Sequence, residues 1–126
     1  MYAVGVSDHV MIAHSLRGAV FGPAQRLHGA TYEVRVEVRA PTLDADGIVV
    51  DIGRLTEALR ETLAPLAYRN LDELDEFRDR NSTTEVLCEY VHRRLCGLLG
   101  ARPGAELAVT LVETPTAWAR YEAPLA

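Results

Sequence analysis

The sequence predicts an α+β fold in which an antiparallel sheet, built in the order ββααββ, carries two helices on one face. Three observations predict it. The stretch Tyr32-Glu33-Val34-Arg35-Val36-Glu37-Val38-Arg39 alternates apolar and charged residues without a break, the period of a strand with one buried and one wet face. Leu55, Ala58, Leu59, Leu63 and Leu66 repeat at helical spacing, and so do Val86, Leu87, Tyr90, Val91, Leu95 and Leu98. Strand-like segments bracket these two helices, one pair before them and one pair after.

The elements follow in order. Val4, Val6, Val10, Ile12 and His14 share one face of a first strand over residues 4–14. Residues 15–27, with Gly18, Gly22 and Pro23, read as a long loop. The second strand covers 31–39 and stops at Pro41, and Asp44-Ala45-Asp46-Gly47 is a turn signal. Ile48-Val49-Val50 leads into the first helix, with Asp51 as its N-cap and Pro65 weakening its last turn. Residues 67–74 read as a loop or short turn. Ser82-Thr83-Thr84-Glu85 has the form of a capping box opening the second helix, which stops near Gly97–Gly100. Pro103-Gly104 turns the chain into a third strand whose Leu107, Val109, Leu111 and Glu113 share a face, and Trp118-Ala119-Arg120-Tyr121 forms a short last strand.

At 126 residues the chain suits one domain, residues 1–126, with one core. A net charge of −5 argues against nucleic acid as the main partner. No apolar run approaches the roughly 18–20 residues that span a bilayer, and no basic segment precedes an apolar one at the N-terminus, so neither a membrane partner nor a signal peptide is expected. A cytoplasmic protein is the reading. Every basic residue is Arg, which excludes Schiff-base chemistry on a lysine. Cys88 and Cys96 fall in one predicted helix about 12 Å apart, too far for a disulfide, and read as small fillers.

Few side chains are candidates for chemistry. His14 ends the first strand and His28 precedes the second, so pairing of these strands could bring the two imidazoles together. Position 30 would put a third side chain on the face of His28, but it is Ala30. His9 lies an odd number of residues from His14 and should face the other way unless a bulge intervenes. His92, beside Arg93-Arg94, reads as solvated. Glu113 sits on an otherwise apolar face, where a carboxylate is costly unless paired; it is a salt bridge, a strand end reaching water, or the acceptor of two parallel N–H bonds from an amidine-like ligand edge. Tyr68-Arg69-Asn70 reads as a polar turn, and Arg17, Arg26 and Arg69 as solvated arginines or contacts for an anionic substituent.

With these residues placed, the chain resembles the tetrahydropterin synthase family, which includes the 6-pyruvoyl- and 6-carboxy-tetrahydropterin synthases. Ala13-His14-Ser15-Leu16 is similar to its first zinc-histidine segment, and Leu27-His28-Gly29-Ala30-Thr31-Tyr32 to its His-Gly-His-x-Tyr segment. Gly47-Ile48-Val49-Val50-Asp51 resembles its Gly-Met-Val-Val-Asp turn into the first helix, and Leu66-Ala67-Tyr68-Arg69-Asn70-Leu71 its Leu-Asp-His-x-Asn-Leu loop. Ser82-Thr83-Thr84-Glu85 and Val112-Glu113-Thr114 resemble its remaining two signatures. The resemblance implies the T-fold (tunnelling fold), a barrel-forming homo-oligomer, a hexamer as the expected size, and a pocket between subunits. It implies that Glu113 anchors a pterin ring and that Thr83 or Thr84 helps line the pocket.

The family's chemistry is not retained residue for residue. Its three zinc histidines fall on His14, His28 and Ala30, its catalytic cysteine on Ala24, and its Asp-His pair on Ala67-Tyr68. Two imidazoles should hold zinc weakly, since a catalytic site needs about three protein ligands. The first reading is therefore a pocket that binds a pterin- or purine-like heterocycle through Glu113 with no cofactor expected, His14, His28 and Tyr68 being the acid–base groups left if a reaction survives. The second is the inherited zinc-dependent lyase, with a substitute third ligand from water, His9 or a neighbouring subunit. The third is an assembly protein that keeps only the barrel.

Overall fold

The structure is a computed structural model describing Met1–Ala126. It contains β1 (Tyr2–His14), β2 (His28–Ala40), α1 (Ile52–Leu63), α2 (Thr84–Leu99), β3 (Glu106–Thr114) and β4 (Ala117–Pro124). The four strands form one antiparallel sheet in the order β1-β2-β3-β4. The strands are longer than their apolar alternation suggests: β2 begins at His28 and β4 runs on to Pro124. Pairing with a long neighbour extends a strand past the residues whose pattern announces it. The 15–27 connection is a loop holding short 3₁₀ turns over Ala19–Gln25, broken at Gly22.

Alternation in β2 does what the sequence requires. Tyr32, Val34, Val36 and Val38 are buried, as are Leu107, Val109 and Leu111 of β3. Both helices cover this face. Leu55, Ala58, Leu59, Thr62 and Leu63 of α1 are buried, and so are Leu87, Cys88, Val91 and Leu95 of α2, forming one continuous core with the sheet. Asp51 caps α1 by accepting from the Gly53 N–H at 3.0 Å. The other face of the sheet carries charge, with Arg35 paired to Glu33 at 2.8 Å and Arg120 to Glu122 at 3.1 Å.

Three expectations need correction. The cap of α2 is Thr83, whose hydroxyl accepts from the Val86 N–H at 3.2 Å, and not Ser82. The run Ser82-Thr83-Thr84 offers the helix several equivalent starting points, and the one chosen leaves Ser82 free for another bond. His92 is not solvated; it is buried, with its Nε2–H donating to the Ala123 carbonyl at 3.2 Å and the Tyr121 ring edge-on at 5.0 Å. The longer β4 supplies both partners. Glu113 is not on the buried face. The β3–β4 register shifts between Val112 and Thr114, so Glu113 is the extra residue of a bulge and is exposed.

Candidate functional site

The β1–β2 ladder positions the two imidazoles. It runs without interruption from Tyr2↔Ala40 to His14↔His28, so the histidines are direct cross-strand partners at its end. Their ring centroids lie 4.6 Å apart with planes at 62°. His14 is buried, and its Nδ1 lies 3.0 Å from both the carbonyl and the hydroxyl of Ser82. A carbonyl only accepts, so Nδ1 carries the proton and Nε2 keeps its lone pair. His28 repeats the arrangement, with Nδ1 at 2.8 Å from the Arg26 carbonyl. Two Nε2 lone pairs are therefore held by hydrogen bonds behind the rings, the support that orients metal-binding or proton-accepting imidazoles. Burial, followed by the neighbouring His28, lowers the pKa of His14 below 6.5, while the Ser82 carbonyl, Asp72 and Glu113 oppose the shift. His14 is accordingly a neutral base at pH 7.

A three-imidazole zinc site does not fit these residues. Ala30 shares the His28 face and stands opposite Ile12, offering a methyl group where a third donor is needed. His9 cannot replace it. Because β1 carries no bulge, His9 pairs with Glu33 and lines the charged groove on the other side of the sheet. No group of three His, Cys, Asp or Glu side chains is arranged to hold a metal within the chain.

Glu113 lies at the same end of the sheet. It lines the same charged groove as His9, about 900 Å³, together with Thr31, Glu33, Thr114 and Trp118, and its charge acts on both His14 and Tyr32 across the sheet end. Tyr32 is fully buried, and burial pushes its phenol up to about 12, opposed by the nearby Thr84 hydroxyl. No partner in hydrogen-bonding geometry reaches its Oη. Thr83 and Thr84, both half-buried, open α2 beside these groups, with the Thr83 hydroxyl committed to the helix cap.

Tyr68 is placed differently. Its φ of 58° is unusual for a residue with a side chain. The Tyr68 N–H donates to the Met11 carbonyl at 2.7 Å, and the Ala13 N–H donates to the Arg69 carbonyl at 3.0 Å, which pins the loop along β1. Tyr68 is 83% exposed. Sequence reasoning missed two supporting residues. One is Ser82, concealed by its fit to a capping box. The other is Asp72, which accepts from the backbone N–H of Ser15 at 3.1 Å, accepts from its hydroxyl, and places a negative charge near His14. Asp72 and Arg17 also line a small cleft of about 170 Å³ with Arg78 and Arg80.

The fold is that of known synthases. The structure of the Caenorhabditis elegans 6-pyruvoyl tetrahydropterin synthase matches with a TM-score of 0.86 at 24% identity, over 97% of this chain and 95% of that one. A catalytic-residue mutant of the Plasmodium vivax 6-pyruvoyltetrahydropterin synthase gives 0.79 at 20% identity, over 98% of each chain. The Plasmodium falciparum 6-pyruvoyl tetrahydropterin synthase gives 0.74 at 18%, over 97% of this chain and 98% of that one. No curated protein matches the sequence. The family model described as 6-pyruvoyl tetrahydropterin synthase matches residues 3–124, nearly the whole length, and with the T-fold sheet and helices in place it follows that the chain belongs to that family.

Proposed function

We propose that this family member binds a pterin- or purine-like heterocycle through Glu113, in a pocket completed by a neighbouring subunit, and that the zinc-dependent lyase chemistry of the family is lost or redirected. The observation that carries this reading is the pair His14 and His28, still oriented from behind, with Ala30 in the third place. Glu113 supports the ligand half. A bulge frees its carboxylate from the core, and a carboxylate can accept two parallel N–H bonds from the amidine-like edge of such a ring. The protein works as a cytoplasmic homo-oligomer, hexameric in size. No helix of the chain is long and apolar enough to cross a membrane. If a reaction survives, His14 and His28 are the proton acceptors and the exposed Tyr68 is the proton donor.

Thermal unfolding with neopterin or guanine tests the proposal. At a hundredfold excess over Kd, a ligand that binds only the folded state stabilises it by about 2.7 kcal/mol. The parent is expected to shift and Glu113→Ala is not; equal shifts would remove Glu113 from the site. The prepared Nε2 lone pairs favour one alternative, the inherited lyase with a third zinc ligand from a neighbouring subunit. Stoichiometric zinc in untagged protein would establish that alternative.

A further inference from the structure

A second imidazole faces a nucleophile far from the His14–His28 pair. His92 and Cys96 lie one turn apart on α2, and the Cys96 Sγ is 3.7 Å from His92 Nδ1. The far side of the ring fixes the tautomer. Nε2 sits 3.2 Å from the Ala123 carbonyl and must carry the proton, so Nδ1 presents a lone pair toward the thiol. Tyr121, edge-on at 5.0 Å, holds the ring plane. His92 is 7% exposed, whereas Cys96 is only partly buried. The other acceptor near the sulfur, the Pro124 carbonyl, is at 4.0 Å. Nucleophile, base and a third group orienting the base are thus in line, the geometry that activates a thiol. This site is separate from the proposed heterocycle pocket. His92 lies nine residues past the Thr83 cap, about 14 Å along the helix.

We infer that Cys96 is a modification site, a thiol activated by His92 that exchanges with small disulfides. In the step, His92 Nδ1 takes the thiol proton and the Cys96 Sγ attacks one sulfur of the reagent. A new S–S bond forms and the reagent's own S–S bond breaks. Cys96 is thereby oxidised to a mixed disulfide, the other half of the reagent leaves reduced as a thiolate, and the imidazolium returns its proton to that leaving group or to water. Cys88 is the internal control. It is fully buried, its Sγ lies 3.4 Å from the Ala119 carbonyl, and burial pushes its thiol up to about 11.

The probe is the chromogenic disulfide dithiobis(nitrobenzoate), applied to the whole folded chain and followed by release of its thiolate. One thiol per chain is expected to react quickly. Cys96→Ser abolishes this phase and Cys88→Ser leaves it. In the Cys88→Ser background, the folded protein is expected to react faster than the same protein unfolded in urea at the same pH. Exchange that is no faster in the folded protein than in the unfolded chain overturns the inference without relying on any change at His92. His92→Gln, checked for an unchanged far-ultraviolet spectrum, is expected to slow Cys96 about tenfold or more. An unaltered rate in a folded His92→Gln protein also overturns it.

Discussion

Replacing Ala30 with histidine asks whether the metal cradle is one side chain from completion. Position 30 shares the His28 face, and His14 stands directly across the ladder from His28. Ala30 is half-buried and packs against the core, so an imidazole there crowds its neighbours. Overpacking of this kind costs about 1–3 kcal/mol, and the metal-free variant is expected to unfold below the parent. Zinc acts in the opposite direction. Once three Nε2 donors converge, free zinc at a hundredfold excess over Kd stabilises the fold by about 2.7 kcal/mol. At roughly 4 °C per kcal/mol for a chain of this size, the midpoint rises by about 10 °C. The assay is thermal unfolding with chelator and then with zinc, for the parent, Ala30→His and Ala30→Phe. The phenylalanine variant brings comparable bulk without a donor, so it is expected to be destabilised and indifferent to zinc. If Ala30→His gains no more from zinc than the parent does, the two imidazoles are not a prepared two-thirds of a metal site, and the reading of His14 and His28 falls.

Other outcomes follow from single contacts. His14 titrates below 6.5 when folded, so the unfolded chain binds more protons in the interval beneath that value; stability is whole above about 6.5 and falls as pH drops through the folded value, by no more than about 1.4 kcal/mol per pH unit. Urea midpoints between pH 8 and pH 5, compared between the parent and His14→Gln, isolate this contribution from that of the carboxylates. Thr83→Ala removes the cap of α2 and is expected to cost about 1 kcal/mol in urea unfolding, and an unchanged midpoint would take Thr83 out of the cap. Leu59→Ala empties a fully packed site between α1 and the sheet and is expected to cost about 2–5 kcal/mol, measured the same way.

The parts of this fold that could be read from the sequence are those where one physical period dominates. The alternation in β2 and the leucine spacing in α1 each fixed an element, because burial of one face admits no other phase. The meeting of His14 with His28 was legible for the same reason: once the strands pair, alternation decides which side chains meet. What could not be read depended on tertiary competition. Ser82 satisfies a capping rule, yet His14, sixty-eight residues away in sequence, takes its carbonyl and hydroxyl. The Glu113 bulge has no sequence signal, since alternation through Leu111 continues smoothly into it. His92 reads as a surface residue beside two arginines until β4 runs far enough to cover it.

The uninterrupted pairing of β1 with β2 makes the chain unusually intolerant of changes in length there. Deleting one residue near the middle of β1 would turn everything on one side of the cut to the opposite face, sending either Val4 and Val6 or Val10, Ile12 and His14 into solvent. The 15–27 connection imposes no such phase, and a residue inserted near Gly22 would leave both imidazoles where they are. A library of single-residue insertions and deletions scored for folded yield should therefore divide sharply at His14 and again at His28, with the tolerated changes gathered between them.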